Sequence, residues 1–139
     1  MANIVRQVNY YYTEVANRAS AGARVLNVFK AGGINLIVYN GFPISPRRAQ
    51  VVFVPVDQDA LCAAAKKAGI KLVGPNTAFL IQGEDRLGAV SDVLGKLGQA
   101  GINVTAIQAI AAGEGRYGAI IWVKRHNVGK AGKALGVSE

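Results

Sequence analysis

Apolar and polar positions along the 139-residue chain follow two periods, and the switches between them mark out the elements. In the second half, Thr77-Ala78-Phe79-Leu80-Ile81-Gln82 is a short apolar run of strand type. Gly83 to Gly88 reads as a turn, with Asp85 placed to cap a helix by accepting from its free first-turn amides. Leu87, Val90, Val93, Leu94 and Leu97 then fall at helical spacing, leaving Asp92 and Lys96 for the solvent face. Gly101 stops the helix, where a left-handed residue is least strained. Ile102, Val104 and Ala106 alternate with Asn103 and Thr105 as a half-buried strand does. Beyond Gly113-Glu114-Gly115, Ala119 to Val123 reads as a central strand, and 127–135 predicts a last helix that Gly129 and Gly132 weaken.

The first half follows the same order. Tyr10 to Val15 predicts a strand, Asn17 a cap, and Gly22, Val25, Leu26 and Phe29 the stripe of a helix that ends at Gly32-Gly33. Ile34, Leu36 and Val38 form the next strand. Pro43 and Pro46 predict that no regular element passes through 41–46. Val51 to Val54 is a strand, the alanine-rich stretch 59–68 a helix, and Ile70 to Val73 a strand.

These parallels rest on a repeat. Gly33-Ile34-Asn35 recurs 68 residues on as Gly101-Ile102-Asn103. The same spacing relates Arg18 to Arg86, Ala21 to Ala89, Val25 to Val93, Leu26 to Leu94 and Arg48 to Arg116 without a gap. Strand, helix, strand, strand, helix, strand is the split βαβ order. The predicted fold class is therefore α+β: two tandem ferredoxin-like (βαββαβ) units, with antiparallel sheets carrying helices on one face. Their expected extents are 1–74 and 75–139. The second copy ends before a fourth strand, and Ile4-Val5 aligns with Leu72-Val73, so residues 4–8 are expected to complete its sheet. Val51 to Val54 and Ala119 to Val123 are apolar on both faces, which calls for a cover from the other repeat or from a second chain, hence a homodimer.

Composition narrows the class. With 51% hydrophobic and 17% charged residues the chain is not disordered. No run reaches the ~18 apolar residues of a membrane span, and Met1 to Arg6 lacks an export signal, so a soluble, cytoplasmic protein is expected. Cys62 alone excludes a disulfide framework and reads as a small core residue. His126 alone argues against a metal site and reads as solvated. The net charge of +8 is scattered, dense only from Lys124 to Lys133, and specifies no partner. Asp57/Asp59 and Glu84/Asp85 lie at helix starts and read as caps rather than as acid/base pairs. No nucleophile–base set or phosphate loop is visible, so neither an enzyme nor a cofactor is expected.

What remains is each helix start. Asp85 and Asn103 repeat the spacing of Asn17 and Asn35, and by spacing alone they are a cap and a strand-opening residue. The 22-residue stretch Gly83-Glu84-Asp85-Arg86-Leu87-Gly88 through Gly101-Ile102-Asn103-Val104 resembles the ACT domain, a small-molecule-binding regulatory module. That family's pattern is an Asp/Asn-Arg-Pro-Gly turn, an amphipathic helix and a Gly-Ile-Asn-Ile strand start. The resemblance implies a ferredoxin-like fold, association through sheets or helices, and an amino acid as ligand, often at an interface. It implies ligand contacts from Asp85 and Asn103, then Asn17 and Asn35, with backbone amides near Leu87 and Gly88 and near Ala19 and Ser20. The helix start is expected beside the asparagine. Leu87 and Ala19 replace the family's proline, and Ser20 its glycine. The charge of Asp85 would repel a ligand carboxylate where neutral Asn17 would not. The reading is a regulatory protein that binds an amino acid and acts on a separate enzyme or transporter. The alternative is an RNA-binding sheet: Gly115-Arg116-Tyr117-Gly118-Ala119-Ile120-Ile121-Trp122 approaches the third-strand motif of RNA-recognition domains, with Ala119 where an aromatic is needed. Nucleic acid is therefore the disfavoured partner.

Overall fold

A computed structural model describes residues 3–137. The elements follow as β1 (Ile4–Ala16), α1 (Ala21–Ala31), β2 (Leu36–Pro43), β3 (Arg48–Pro55), α2 (Gln58–Ala68), β4 (Val73–Glu84), α3 (Ala89–Gln99), β5 (Val104–Gly113), β6 (Arg116–Val123) and α4 (Val128–Leu135). The chain divides into two compact units: Asn9–Asn76, and the segment up to Val8 joined to that from Thr77 onward. β1 gives residues 4–8 to the second of these and 9–16 to the first, and β4 gives 77–84 and 73–76. Strand order is β2-β3-β1-β4 in the 9–76 unit and β1-β4-β6-β5 in the other. The ladders that join β3 to β1 and β2, and β6 to β4 and β5, are antiparallel. This is the ferredoxin-like α+β arrangement.

Each unit has its own core. In the unit from Thr77 onward, Phe79, Ile81, Ala119 and Ile121 meet Val93 and Leu97 of α3 and Ala131 and Leu135 of α4, and Val5 of β1 joins them. In the other, Tyr11, Val51 and Phe53 meet Phe29 of α1 and Leu61 and Ala65 of α2. Phe29 and Phe53 pack edge to face with centroids 5.1 Å apart. A fully buried aliphatic or aromatic side chain of this size is worth about 1.5–3 kcal/mol, so these clusters set the stability of each unit.

The repeat is geometric as well as chemical. Asn17 N–H donates to Arg47 O at 2.9 Å and Asp85 N–H to Gly115 O at 2.8 Å. Arg24 to Ser20 recurs as Asp92 to Gly88, both 3.0 Å, and Ile34 to Phe29 as Ile102 to Leu97, both 2.9 Å. α1 and α3, and β3 and β6, begin and end 68 residues apart.

Several expectations are corrected. Asn17 and Asp85 are not the caps: the residues before α1 and α3 are Ser20 and Gly88, both left-handed (φ 70 and 78), with no side-chain cap. Asp57 does cap α2, accepting from Ala60 N–H at 3.1 Å. β2 runs on through Pro43, because an edge strand tolerates a residue without an N–H. Residues 70–72 are not strand; Ile70 and Leu72 pack as an apolar lead-in, and Lys71 O accepts from Thr13 Oγ1 at 2.8 Å. β4 is continuous through 74–76, where two elements were expected to part. Cys62 is exposed, since the buried stripe of α2 is Leu61 and Ala65 and Cys62 falls one position off it. Val51–Val54 and Ala119–Ile121 are buried within the single chain, so they do not call for a second copy. Among the described residues no helix is long and apolar enough to cross a membrane.

Candidate ligand site

The turn between β4 and α3 is shaped by Gly88. At φ 78 it starts the helix without a side chain to serve the first-turn amides; Ala89 N–H donates to Arg86 O at 3.2 Å, and the amides of Val90 and Ser91 have by helix geometry no intrahelical acceptor. Those amides and the helix dipole favour negative charge. Arg86 folds back over the turn, its guanidinium paired with the Asp92 carboxylate and donating to Leu87 O at 3.2 Å. The hydrogen bond to Asp92 raises the guanidinium pKa further. Leu87 is fully exposed.

A hollow of about 300 Å³ opens between this first turn and the edge strand β5. Asp85, Arg86 and 88–91 form one wall, Ala109, Ile110 and Ala111 the other, and Tyr117 of β6 also lines it. Small residues on β5 leave the space, and Gly83 admits the Tyr117 ring, since a Cβ there would lie 2.9 Å from Tyr117 Cε1. Tyr117 is 5% exposed, and its hydroxyl is buried with no hydrogen-bond partner. An orphaned buried hydroxyl costs about 1–3 kcal/mol.

The corresponding place in the 9–76 unit is differently built. Asn17 Nδ2 donates to Ser45 O at 3.4 Å and Pro46 O at 3.3 Å, so its amide secures the β2–β3 turn. Ala19 and Ser20 are exposed beside it. A Cβ on Gly22 would lie 2.7 Å from the Tyr39 hydroxyl, and one on Gly41 3.6 Å from it. Tyr39 thus fills the space between the first turn of α1 and β2.

Asp85, Leu87 and Gly88 stand together at one end of their unit, and Asn17, Ala19 and Ser20 at one end of theirs. Asn103 and Asn35 do not join them. Each follows the helix rather than preceding it, and an 11-residue helix carries the chain ~16 Å. β4 and β5 both run antiparallel to β6, so Asn103 opens β5 at the end of the sheet opposite Glu84 and Asp85. Both asparagines are exposed, and Asn35 O accepts from Val56 N–H at 3.0 Å. The expectation that helix start and asparagine adjoin within one unit therefore fails, because the helix crossover separates them.

Sequence reasoning missed Tyr117 as a site residue. The signal was present: Tyr117, Ala119, Ile121 and Val123 alternate on the face that carries the core, and Tyr117 alone among them has a polar atom. Its burial also takes the ring away from the RNA-stacking role, which needs an exposed face. Among the described residues no cluster of three or more His, Cys, Asp or Glu could hold a metal ion.

Comparison with known proteins bears on this geometry. The model of the ACT domain family matches residues 77–136, the stretch that carries the hollow. No curated protein matches the sequence significantly. A crystal structure of a protein from Bacteroides thetaiotaomicron superposes with a TM-score of 0.81 at 18% identity, over 96% of this chain and 88% of that one. The ligand-free regulatory subunit of aspartate kinase from Thermus thermophilus gives 0.64 at 18% identity, over 97% and 93%. The same subunit from Thermus flavus gives 0.63 at 19%, over 97% and 94%. At these identities the likeness is one of fold.

Proposed function

We propose that this chain is a tandem of two ACT-type units that binds an amino acid and, through that binding, regulates a separate enzyme or transporter in the cytoplasm, without catalysis of its own. The observation that carries the reading is the uncapped first turn of α3 opening onto the hollow beside β5. The family match over 77–136 supports it, as does a fold shared with proteins described as regulatory subunits of aspartate kinase. The hydrogen bonds that recur 68 residues apart support the tandem.

The proposed assembly is a homodimer. Leu87 and Ile110 are 100% and 70% exposed on the α3–β5 side, where β5 is an unpaired edge. A two-fold axis beside β5 would set the strands of two copies antiparallel and bring Asn103 of one to the Asp85 end of the other. The separation within one unit would then be closed between copies. Light scattering at micromolar concentration should give twice the chain mass, and thermal-shift screening should find one or more stabilising amino acids. A monomer mass refutes the dimer. Absence of stabilisation by any amino acid, with Asn35→Ala and Asn103→Ala melting as wild type does, refutes the ligand.

A further inference from the structure

We infer that the outer face of α4 and the segment leading into it form a binding surface for the phosphodiester backbone of nucleic acid, with Lys124, Arg125, Lys130 and Lys133 as its phosphate contacts. This is separate from the amino-acid reading above, and neither depends on the other.

The first ground is how the fold sorts charge within the unit from Thr77 onward. Its acids among the described residues are Glu84, Asp85, Asp92 and Glu114. Glu84 ends β4, Asp85 follows it, Asp92 lies in the first turn of α3, and Glu114 stands between β5 and β6. β6 starts at Arg116, beside Glu84, and its eight residues carry the chain ~23 Å to Val123, after which Lys124 and Arg125 lead into α4. That is more than twice the ~8 Å over which physiological salt screens charge, so the acids do not neutralise this end. α4 then turns Ala131, Gly132 and Leu135 to the core, which leaves Lys130 and Lys133, three residues apart, exposed on its outer face. Among the described residues none of the four cations has an ion-pair partner.

The second ground is the contrast with α2, the matching helix of the other unit. α2 opens with Asp57 and Asp59, in the sense that the helix dipole favours. α4 has no acid in its first turn and no side-chain cap, and two cations precede it. A row of phosphates relieves that repulsion.

The kind of anion follows from what the surface lacks. No large apolar side chain is exposed in 116–137. Protein interfaces take apolar or aromatic anchors and are poor in lysine, and a helix that lies on a membrane needs bulky apolar residues to insert. Lysines without such anchors suit a repeating phosphate charge, bound without regard to base sequence.

The test is fluorescence anisotropy of a labelled DNA duplex of about 20 base pairs, titrated with the full chain from about 50 to 200 mM salt. Four phosphate contacts predict a slope of log affinity on log salt of about −3.6, a loss of about a hundredfold across that range, and equal binding of a scrambled duplex. Lys130→Gln with Lys133→Gln should flatten the slope by about 1.8, and adding Lys124→Gln and Arg125→Gln should remove the salt-dependent binding. A control that takes the same charge from the other unit, Arg24→Gln, Lys30→Gln, Lys66→Gln and Lys67→Gln together, should bind as wild type does. Circular dichroism checks that each variant is folded, and the double variant reports on the same face if the quadruple one is not. Equal weakening by the control, an unchanged slope in the double variant, tighter binding of polyglutamate or of phosphatidylserine vesicles than of the duplex, or no binding of the duplex at the lowest salt overturns the inference.

Discussion

Val5 offers a direct measure of how the start of the chain contributes to the unit from Thr77 onward. Its side chain is 4% exposed and lies in one cluster with Phe79, Ile81, Val93, Leu97 and Ile121. Val5→Ala removes two carbons at about 0.8 kcal/mol each. The vacated space, about 40 Å³ if the neighbours do not collapse, adds about 1 kcal/mol at 24 cal/mol per Å³. The expected cost is therefore about 2–3 kcal/mol. Trp122, the sequence's one tryptophan, lies on β6 of the same unit and reports its unfolding by fluorescence. With a urea dependence of about 1 kcal/mol per molar for so small a unit, the midpoint should fall by about 2–3 M. Arg6→Ala, at the adjacent exposed position, should shift it by less than about 0.5 M, as surface changes do. If Val5→Ala moves the tryptophan transition no further than Arg6→Ala, the claim that β1 helps build this core is wrong.

Three further outcomes are expected. Thr13→Val leaves Lys71 O without its donor at a site where Thr13 is 7% exposed, and should lower stability by about 1–2 kcal/mol in chemical denaturation. Asp57→Ala removes the α2 cap and should cost about 1 kcal/mol, recovered in good part by Asp57→Asn or Asp57→Ser. Burial first, then the Cys62 thiol beside it, pushes the Tyr11 phenol from 10 up to about 12. Because the folded state holds that proton more tightly, its contribution to stability is complete below pH 10 and is lost as pH rises toward 12. The thermal midpoint should therefore fall over that interval, and Tyr11→Phe should flatten the fall. A slope unchanged by Tyr11→Phe would rule Tyr11 out as its source, leaving Tyr10 and Tyr39, whose phenols burial also raises.

The sequence carried the elements better than their ends. Gly33 and Gly101 mark chain reversals because each needs a left-handed residue there (φ 74 and 72), and that demand is visible in composition. The helix starts misled for a related reason. The left-handed Ser20 and Gly88 enter the helix after the polar residue rather than through it, which frees Asn17 to hold a distant turn. The extra length of β1 was hidden because a strand that continues across a unit boundary carries no turn residue to announce it, while β4 holds Gly74-Pro75 within the strand itself. The separation of Asp85 from Asn103 could have been derived. Any strand–helix–strand crossover returns the chain to the far end of the sheet before the second strand begins. The hollow itself was not legible, since it depends on one exchange at matched positions: β2 carries Tyr39, whose hydroxyl lies over Gly22 and Gly41, where β5 carries the shorter Ile107.

The central claim is that this chain recognises a free amino acid. Equilibrium dialysis of the purified full chain against an equimolar mixture of the twenty common amino acids, followed by amino-acid analysis of both chambers, tests it without prior choice of ligand. The account predicts a saturable excess of one or more amino acids on the protein side, lost in Asp85→Lys. Equal concentrations of all twenty on both sides of the membrane, at protein concentrations of hundreds of micromolar, would contradict it.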